Sequence, residues 1–239
     1  MIRASRLAYR LPDGRQTLHE VDFHLPRGGF LAVLGENGAG KTTLLDLLMG
    51  FRRRTGGTLE VLDGDPDRDP WETRSRIAYL SEKVDLPGQW SGHDFLRFNE
   101  RFYARYDRAD EERLTRRFAV DLGARVGNLS AGELRRLQLV GALAGRPDLV
   151  VADEITALLD IVGRRMFLSV LKDRQRHAGL TVVLATNIPE GLDGIADQVL
   201  LIHRGRQLEF AVASRFATGE PNLAEAVVRR LTTDAEPLR

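Results

Sequence analysis

The chain of 239 residues contains no cysteine, and aromatic residues make up only 7% of it. Without cysteine there is neither a disulfide framework nor a cysteine-ligated zinc site. Hydrophobic residues account for 43% of the chain and charged residues for 29%, an ordinary composition for an intracellular globular protein. The composition therefore excludes a small disulfide scaffold, and it excludes intrinsic disorder over most of the chain.

An excess of charge of either sign is also missing, because 35 Lys and Arg residues face 34 Asp and Glu residues, a formal net charge of +1. A chain so balanced has no global field that attracts nucleic acid or an anionic membrane, and we expect no nucleic-acid partner. No apolar run approaches the roughly 20 residues that span a bilayer, and the first residues lead into no signal-like apolar stretch. We therefore expect a soluble, cytoplasmic protein.

The pattern of apolar segments indicates an α/β fold with a mixed, mainly parallel sheet. Residues 30–34, 149–152 and 181–185 are apolar on both faces, as strands in the middle of a covered sheet are. Shorter strands joined by turns around the first of these segments predict an N-terminal antiparallel β subdomain. Between about residues 83 and 146 the spacing becomes helical, which predicts an inserted α-helical subdomain.

A glycine-rich loop follows the first buried strand and opens an apolar helix. Residues 35–42 read GENGAGKT and fit the phosphate-loop pattern G-x-x-x-x-G-K-[ST] in the strand–loop–helix context that the pattern needs. Glycines let backbone N–H groups turn towards a phosphate, and the following lysine and threonine supply a positive charge and a Mg²⁺ ligand. The residues that we expect to contact ATP here are Asn37, Gly38, Ala39, Gly40, Lys41, Thr42 and Thr43.

Two carboxylates come directly after the buried strand at residues 149–152. Ligands of open α/β sheets bind at the carboxyl ends of the strands, so Asp153 and Glu154 are natural partners of the phosphate loop. We expect the Thr42 hydroxyl to ligate Mg²⁺, Asp153 to hold the ion through water, and Glu154 to polarise the water that attacks the γ-phosphate. The sequence thus predicts a P-loop NTPase core that hydrolyses a nucleoside triphosphate with Mg²⁺.

The segment LSAGE at residues 129–133 has two compatible interpretations. Ser130 and Glu133 form an S-x-x-E capping box for the apolar helix that follows. The same exposed N–H groups, the Ser130 hydroxyl and the unobstructed Gly132 also favour an anion at the helix N-terminus.

With these three motifs in this order, the chain resembles the nucleotide-binding subunit of an ATP-binding cassette transporter over nearly its whole length. The segment at residues 129–133 is similar to the family's signature motif, usually LSGGQ. The resemblance implies that Ser130 and Gly132 contact the γ-phosphate of ATP held by the phosphate loop of a second subunit, in a head-to-tail dimer. It places the nucleotide-binding domain at residues 1–210 and a C-terminal tail with a short helix at 211–239.

Four further residues take their expected roles from this resemblance. Tyr9 falls where the family has an aromatic that stacks on adenine, and Asp160 matches the aspartate of the loop that faces the partner subunit. Glu82 replaces a glutamine that reaches the Mg²⁺ region, so we assign it to the metal and the catalytic site. Asn187 replaces a histidine that contacts the γ-phosphate, and because asparagine cannot become positively charged we expect slow hydrolysis.

Two phrases, FYARYD at residues 102–107 and NLAEA at residues 222–226, resemble bacterial ATP-binding subunits of the exporter type, whose membrane partner is a separate permease polypeptide. Residues 82–99 correspond to the socket for that permease, where Trp90 and Phe95 are either exposed interface anchors or core residues of the subdomain. The resemblance therefore predicts an exporter ATPase on the inner face of the cell membrane, paired with a second ATP-binding subunit, most simply a copy of itself. A soluble ATP-dependent switch of the same superfamily, not coupled to transport, is the alternative.

Overall fold

The computed structural model of the protein describes residues 1–81 and 86–234. Its strands are β1 (Ile2–Arg10), β2 (Gln16–Leu25), β3 (Phe30–Leu34), β4 (Gly56–Val61), β5 (Ile77–Leu80), β6 (Leu149–Asp153), β7 (Thr181–Thr186), β8 (Gln198–His203) and β9 (Arg206–Val212). Its α-helices are α1 (Lys41–Leu48), α2 (Pro70–Ser75), α3 (Gly92–Glu100), α4 (Arg108–Phe118), α5 (Ala131–Ala144), α6 (Ile161–Ala178), α7 (Ala213–Phe216) and α8 (Leu223–Asp234). Short 3-10 turns lie at Val126–Asn128 and Ile155–Leu158.

The strands form one mixed sheet in the order β4-β1-β2-β9-β8-β3-β7-β6-β5. β1 pairs antiparallel with β2 and β4, whereas β3 pairs parallel with β7 and β8, and β6 pairs parallel with β5 and β7. The two regions meet at the pair His19 and Arg206, which joins β2 to β9. This arrangement confirms the predicted α/β fold with a parallel core and an N-terminal antiparallel part.

Strand β3 is apolar on both faces because each face lies against a different core. Phe30, Ala32 and Leu34 belong to a cluster formed with the helices from α3 to α8. Leu31 and Val33 belong to a second cluster, formed with α1 and the antiparallel strands. Every residue of β3 is buried, as is expected for a central parallel strand covered on both sides.

The register of the parallel strands brings the candidate site together. Leu34 at the end of β3 pairs with Thr186 at the end of β7, and Asp153 at the end of β6 pairs with Ala185. The residues that follow these positions therefore lie at one edge of the sheet, where ligands of α/β sheets bind.

The helices α3, α4 and α5 lie between β5 and β6, in the segment predicted to be helical. Asp110 of α4 is 1% exposed and accepts two hydrogen bonds from Arg174 of α6, the longer at 2.6 Å. This buried pair joins the inserted helices to the parallel core.

Two further predictions concern the end of the chain and membrane spans. The predicted boundary at residue 210 falls inside β9, and the helix expected in the tail is α8, which buries Leu223, Ala226 and Val227 against the core.

In the described part of the chain, no helix combines the length and the apolar composition that crossing a bilayer requires.

Candidate functional site

The glycine-rich loop connects β3 to α1 in a conformation that requires glycine at two positions. Gly35 and Gly40 have φ of +156° and +108°, and a Cβ would lie 2.2 Å from the Ile202 carbonyl oxygen and 2.8 Å from that of Thr17, respectively. Around Gly38, by contrast, a Cβ would meet nothing within 4 Å. The loop is therefore packed on its inner side and open on the side where the backbone faces solvent.

Lys41, the first residue of α1, is 5% exposed, and three oxygens surround its ammonium. Nζ donates to the carbonyl oxygens of Gly35 at 2.8 Å and Glu36 at 3.0 Å, and it lies 2.9 Å from Oε1 of Glu154. A buried ammonium requires such partners, because an unpaired charge away from water is costly. The contacts hold the charge at the base of the loop, beside the open face at Gly38.

Thr42 and Asp153 join the start of α1 to the end of β6. Thr42 Oγ1 donates to Oδ2 of Asp153 at 2.8 Å, while Oδ1 of Asp153 is buried without a hydrogen-bond partner in the described chain. Burial raises the pKa of the Asp153 carboxyl, and the neighbouring Glu154 charge raises it further, against the Thr42 hydrogen bond. A buried carboxylate with an orphaned oxygen beside a hydroxyl fits Mg²⁺, which takes one or two protein oxygens together with substrate phosphates.

Among the described residues there is no cluster of three or more His, Cys, Asp or Glu side chains that could hold a metal ion.

Glu154 follows Asp153 with a left-handed backbone, φ +50°, which is unusual for a residue with a side chain. Its Oε1 faces Lys41, and its Oε2 accepts a hydrogen bond from the backbone N–H of Asn187 at 3.1 Å. The Asn187 side chain in turn donates Nδ2–H to Oδ1 of Asn37 at 3.2 Å. The loop after β7 is thereby fastened to both the phosphate loop and the acidic strand end.

Ser130 and Glu133 form the capping box that the sequence predicts at the start of α5. Ser130 Oγ accepts from the N–H of Glu133 at 3.3 Å, and Oε2 of Glu133 accepts from both the N–H and the hydroxyl of Ser130, at 2.8 Å and 2.6 Å. A Cβ on Gly132 would meet nothing within 4 Å. Ser130 and Glu133 are thus exposed, and the space above Gly132 is unobstructed.

Asp160 caps α6, with Oδ1 accepting from the N–H of Gly163 at 2.6 Å. The next two residues, Ile161 and Val162, are 84% and 73% exposed. Two adjacent apolar side chains in water at the start of a helix are a feature of contact surfaces.

Tyr9 lies on β1 and is only 9% exposed. The guanidinium of Arg52 is 5.5 Å from the ring centroid and donates to the Tyr9 hydroxyl at 3.2 Å. A base stacks on an open ring face, and a ring buried to this extent offers little of one. The placement favours a packing role, and adenine stacking by Tyr9 stays a prediction.

The two aromatic residues considered as interface anchors are placed differently from one another. Phe95 is 8% exposed and belongs to the core, which agrees with the second of the two interpretations, and Trp90 is partly buried against the same cluster. In the inserted helical segment, Phe98 and Phe102 are instead exposed, by 42% and 60%. Trp90, Phe98 and Phe102 form a ladder with successive centroid distances of 5.0 Å.

The contacts bring Asn37, Lys41, Thr42, Asp153, Glu154 and Asn187 into one cluster at the edge of the sheet. Gly38, Ala39, Gly40 and Thr43 belong to the same loop and helix turn. Within residues 1–81 and 86–234, no hydrogen bond or ion pair joins Ser130, Gly132 or Asp160 to that cluster. Glu82 lies outside the described residues.

The structure brings one further buried group to the site, for which the sequence contains no motif. His203, at the end of β8, is 6% exposed; Nδ1 lies 3.2 Å from Oε2 of Glu36 in the phosphate loop, and Nε2 lies 3.8 Å from Oδ2 of Asp234 at the end of α8. The position of His203 directly before the turn between β8 and β9 is a local signal of proximity to the strand ends. Its two acidic neighbours are far away in sequence and cannot be found from spacing.

Comparison with known proteins places the chain among transporter ATPases. The family model described as ABC transporter matches residues 18–157. The cobalt import ATP-binding protein CbiO of Rhodobacter capsulatus is 32% identical over 238 residues, 96% of this chain and 85% of that protein. The energy-coupling factor transporter ATP-binding protein EcfA2 of Bacillus cereus is 28% identical over 214 residues, 84% of this chain and 72% of that protein.

Solved structures show the same fold. An ATP-binding subunit of an ABC transporter has a TM-score of 0.86 at 23% identity and covers 97% of this chain and 99% of its own. A dimeric ATP-binding cassette in a post-hydrolysis state with ADP and phosphate has a TM-score of 0.76 at 18% identity and covers 89% of this chain and 98% of its own. The names of the curated relatives do not support the predicted similarity to exporter subunits.

Proposed function

Because the chain belongs to the ATP-binding cassette (ABC) transporter family, as an ATP-binding subunit and an ATPase, we propose that two copies of it close head to tail over ATP to drive a membrane permease. The observation that carries the proposal is the cluster at the strand ends, in which Lys41 and Glu154 meet between the phosphate loop and the end of β6. It combines a phosphate-binding cation with a general base.

The chemistry follows from the positions of these groups. The open side of the loop at Gly38 takes the phosphates, and Lys41 turns from Glu154 to the β- and γ-phosphate charge. Glu154, then free of the ammonium, orients water and accepts its proton as the water oxygen bonds to the γ-phosphorus. The bond from that phosphorus to the bridging oxygen breaks, which releases ADP and phosphate. The Asn187 backbone N–H holds the carboxylate in position throughout.

Thr42 and Asp153 are the residues that would hold Mg²⁺, as the orphaned Oδ1 of Asp153 suggests. When bound, the ion neutralises phosphate charge and orients the β- and γ-phosphates. Glu82 is a further candidate ligand, carried over from the resemblance.

A second copy is proposed because half of the implied site is unused in one chain. Ser130 is exposed at the N-terminus of α5 and the space above Gly132 is open, and neither residue forms a hydrogen bond with the phosphate-loop cluster in the described chain. Asp160 and the exposed side chains of Ile161 and Val162 offer a surface for the same partner. The dimeric solved structure with ADP and phosphate supports this arrangement.

For the direction of transport we propose import. The cobalt import protein CbiO is the relative with 32% identity, and EcfA2 also carries a transporter name. These relatives replace the exporter assignment that the resemblance of residues 102–107 and 222–226 suggested. The permease is a separate polypeptide, and the chain works at the inner face of the membrane.

The exposed rings of Phe98 and Phe102 are the proposed anchors for the permease, in place of Phe95, which is buried. Aromatic rings anchor interfaces because they bury a large area at a small entropic cost. Their position within and directly beyond the socket at residues 82–99 agrees with that role.

The test is a pull-down in mild detergent of the tagged Glu154→Gln chain from membranes with Mg-ATP, and identification of the polypeptides retained. We expect a multi-span membrane protein. Recovery of ribosomes, nucleic acid or soluble partners alone would instead favour the ATP-dependent switch. Phe102→Ser in the same background should lose the membrane protein. The control is Val228→Ser, which changes an exposed apolar side chain elsewhere, on α8, and this variant should retain the membrane protein.

A further inference from the structure

The Ser130 hydroxyl donates its only proton within its own helix cap. A hydroxyl has one proton to donate, and that proton goes to Oε2 of Glu133 at 2.6 Å. One acceptor position is taken by the N–H of Glu133, and the N–H of Ser130 is also donated to Oε2. In this state Ser130 has only a remaining lone pair for an incoming group, and a lone pair repels a phosphate oxygen.

The acceptor is an ionised carboxylate, which makes the bond stronger than a neutral one. Two hydrogen bonds from Ser130 hold the pKa of Glu133 below its usual range, the one from the side chain having the larger effect and the one from the backbone N–H the smaller. Its charge also lies in the first turn of α5, where it neutralises the positive end of the helix dipole that would otherwise favour phosphate.

Core packing does not enforce this arrangement, because Ser130 and Glu133 are both exposed. The space above Gly132 is open, with nothing within 4 Å of a Cβ built there. An anion can therefore approach, but it meets a carboxylate and a hydroxyl whose proton is engaged.

We propose that Glu133 is a positioning residue that restrains the Ser130 hydroxyl, so that closure of the ATP dimer requires the hydroxyl proton to turn from Glu133 to the γ-phosphate. This inference rests on the proposed head-to-tail dimer. The restraint raises the ATP concentration that closure of the dimer requires. A neutral side chain of the same shape at residue 133 should lower that concentration.

The chain supplies a matched control in α3. Ser91 and Asp94 form the same capping box: Oδ2 of Asp94 accepts from the N–H and the hydroxyl of Ser91 at 2.9 Å and 2.7 Å, and Ser91 Oγ accepts from the N–H of Asp94 at 3.1 Å. Glu133→Gln and Asp94→Asn each neutralise one capping carboxylate and keep an oxygen that can accept. Only the first change lies in the signature segment.

The experiment measures the ATP concentration for half-maximal dimer formation, by sedimentation with Mg-ATP in the Glu154→Gln background. We expect Glu133→Gln to lower that concentration about three- to fivefold, the size of an anion's interaction with a helix N-terminus, and Asp94→Asn to leave it unchanged. In the hydrolysing chain, Glu133→Gln should lower KM by a similar factor with a smaller change in kcat. Melting temperatures report any loss of helix stability, which should be similar for the two variants.

An unchanged or higher ATP requirement in Glu133→Gln would overturn the proposal, and so would an equal decrease in Asp94→Asn. Failure of the Glu154→Gln chain itself to form a dimer at saturating Mg-ATP would overturn the proposed function together with the inference that rests on it. The two failures are distinguishable, because the first leaves an ATP-dependent dimer and the second does not.

Discussion

Lys41 and Glu154 neutralise one another at the phosphate loop, with Nζ of Lys41 2.9 Å from Oε1 of Glu154 and side chains only 5% and 16% exposed. The pair gives both charges a partner where water reaches them poorly. A γ-phosphate that attracts Lys41 releases the carboxylate at the same time. In the proposed mechanism, nucleotide binding and readiness of the base are therefore coupled through one ion pair.

This pair predicts the behaviour of Glu154→Gln. Glutamine keeps the shape but removes the base, so we expect ATP turnover to fall by about 100-fold or more while ATP still binds. The measurements are phosphate release and nucleotide binding by calorimetry. Glu112→Gln, which changes a carboxylate 69% exposed on α4, should have wild-type turnover. Turnover within about threefold of wild type in Glu154→Gln would assign the base elsewhere.

Asn187→His tests the slow hydrolysis expected from the missing imidazole. Asn187 is exposed, so a larger side chain fits, and a protonated imidazole places positive charge where the amide now donates to Asn37. We expect kcat to rise by about tenfold, measured by phosphate release at saturating Mg-ATP. Asn187→Ala is the control and should not accelerate hydrolysis. If the histidine variant has the original turnover, the imidazole role does not carry over to this chain.

Asp153 predicts a dependence of stability on pH. Burial raises the pKa of Asp153 in the folded protein, so as pH rises the carboxyl ionises at a lower pH in the unfolded chain than in the folded one. Ionisation therefore favours the unfolded chain, and stability is lost as pH rises through the folded pKa. Asp153→Asn removes this loss. At neutral pH, without Mg²⁺ and nucleotide, the melting temperature of the variant should therefore exceed that of the wild type by about 2 °C or more. The difference should shrink as pH falls below the ordinary carboxyl range. Thermal melts between about pH 4 and pH 8 measure it.

Asp148 supplies a control of opposite sign for these melts. Burial opposes ionisation there too, but hydrogen bonds from Arg105 and Arg76 hold its pKa below the usual range. Its stabilisation is present above the unfolded pKa and lost as pH falls through the folded pKa, so Asp148→Asn should melt lower than wild type at neutral pH. A lower melting temperature in Asp153→Asn at neutral pH would contradict the prediction, and unimpaired Mg²⁺-dependent turnover in that variant would contradict the metal assignment.

Tyr9→Leu separates packing from adenine stacking. The ring is buried on β1 and bonded to Arg52, so its loss should lower the melting temperature by about 4 °C or more, as for a core change of about 2 kcal/mol. ATP affinity should change by less than about twofold, whereas loss of base stacking costs about 1 to 3 kcal/mol. Calorimetric titration with ATP decides between the two. An unchanged melting temperature with a large loss of affinity would restore the stacking role.

The features that could be predicted from sequence are those whose chemistry is local. The run at residues 35–42, the two acids after residue 152 and the capping box of Ser130 and Glu133 each depend on hydrogen bonds or dihedral angles within a few residues. A strand apolar on both faces likewise predicts its own burial. For that reason the fold and the cluster at the strand ends can be predicted from the sequence.

The remaining features depend on partners that are distant in the chain. Arg52 buries Tyr9, Asn37 engages Asn187, and His203 lies between two acids contributed by the phosphate loop and α8. The helical spacing of the inserted segment likewise could not distinguish the buried ring of Phe95 from the exposed ring of Phe102. Sequence by itself determined the α/β fold and the phosphate-binding chemistry, because both are encoded in short segments. The tertiary structure decided which side chains are buried, paired or left exposed, because those outcomes depend on which strands and helices meet.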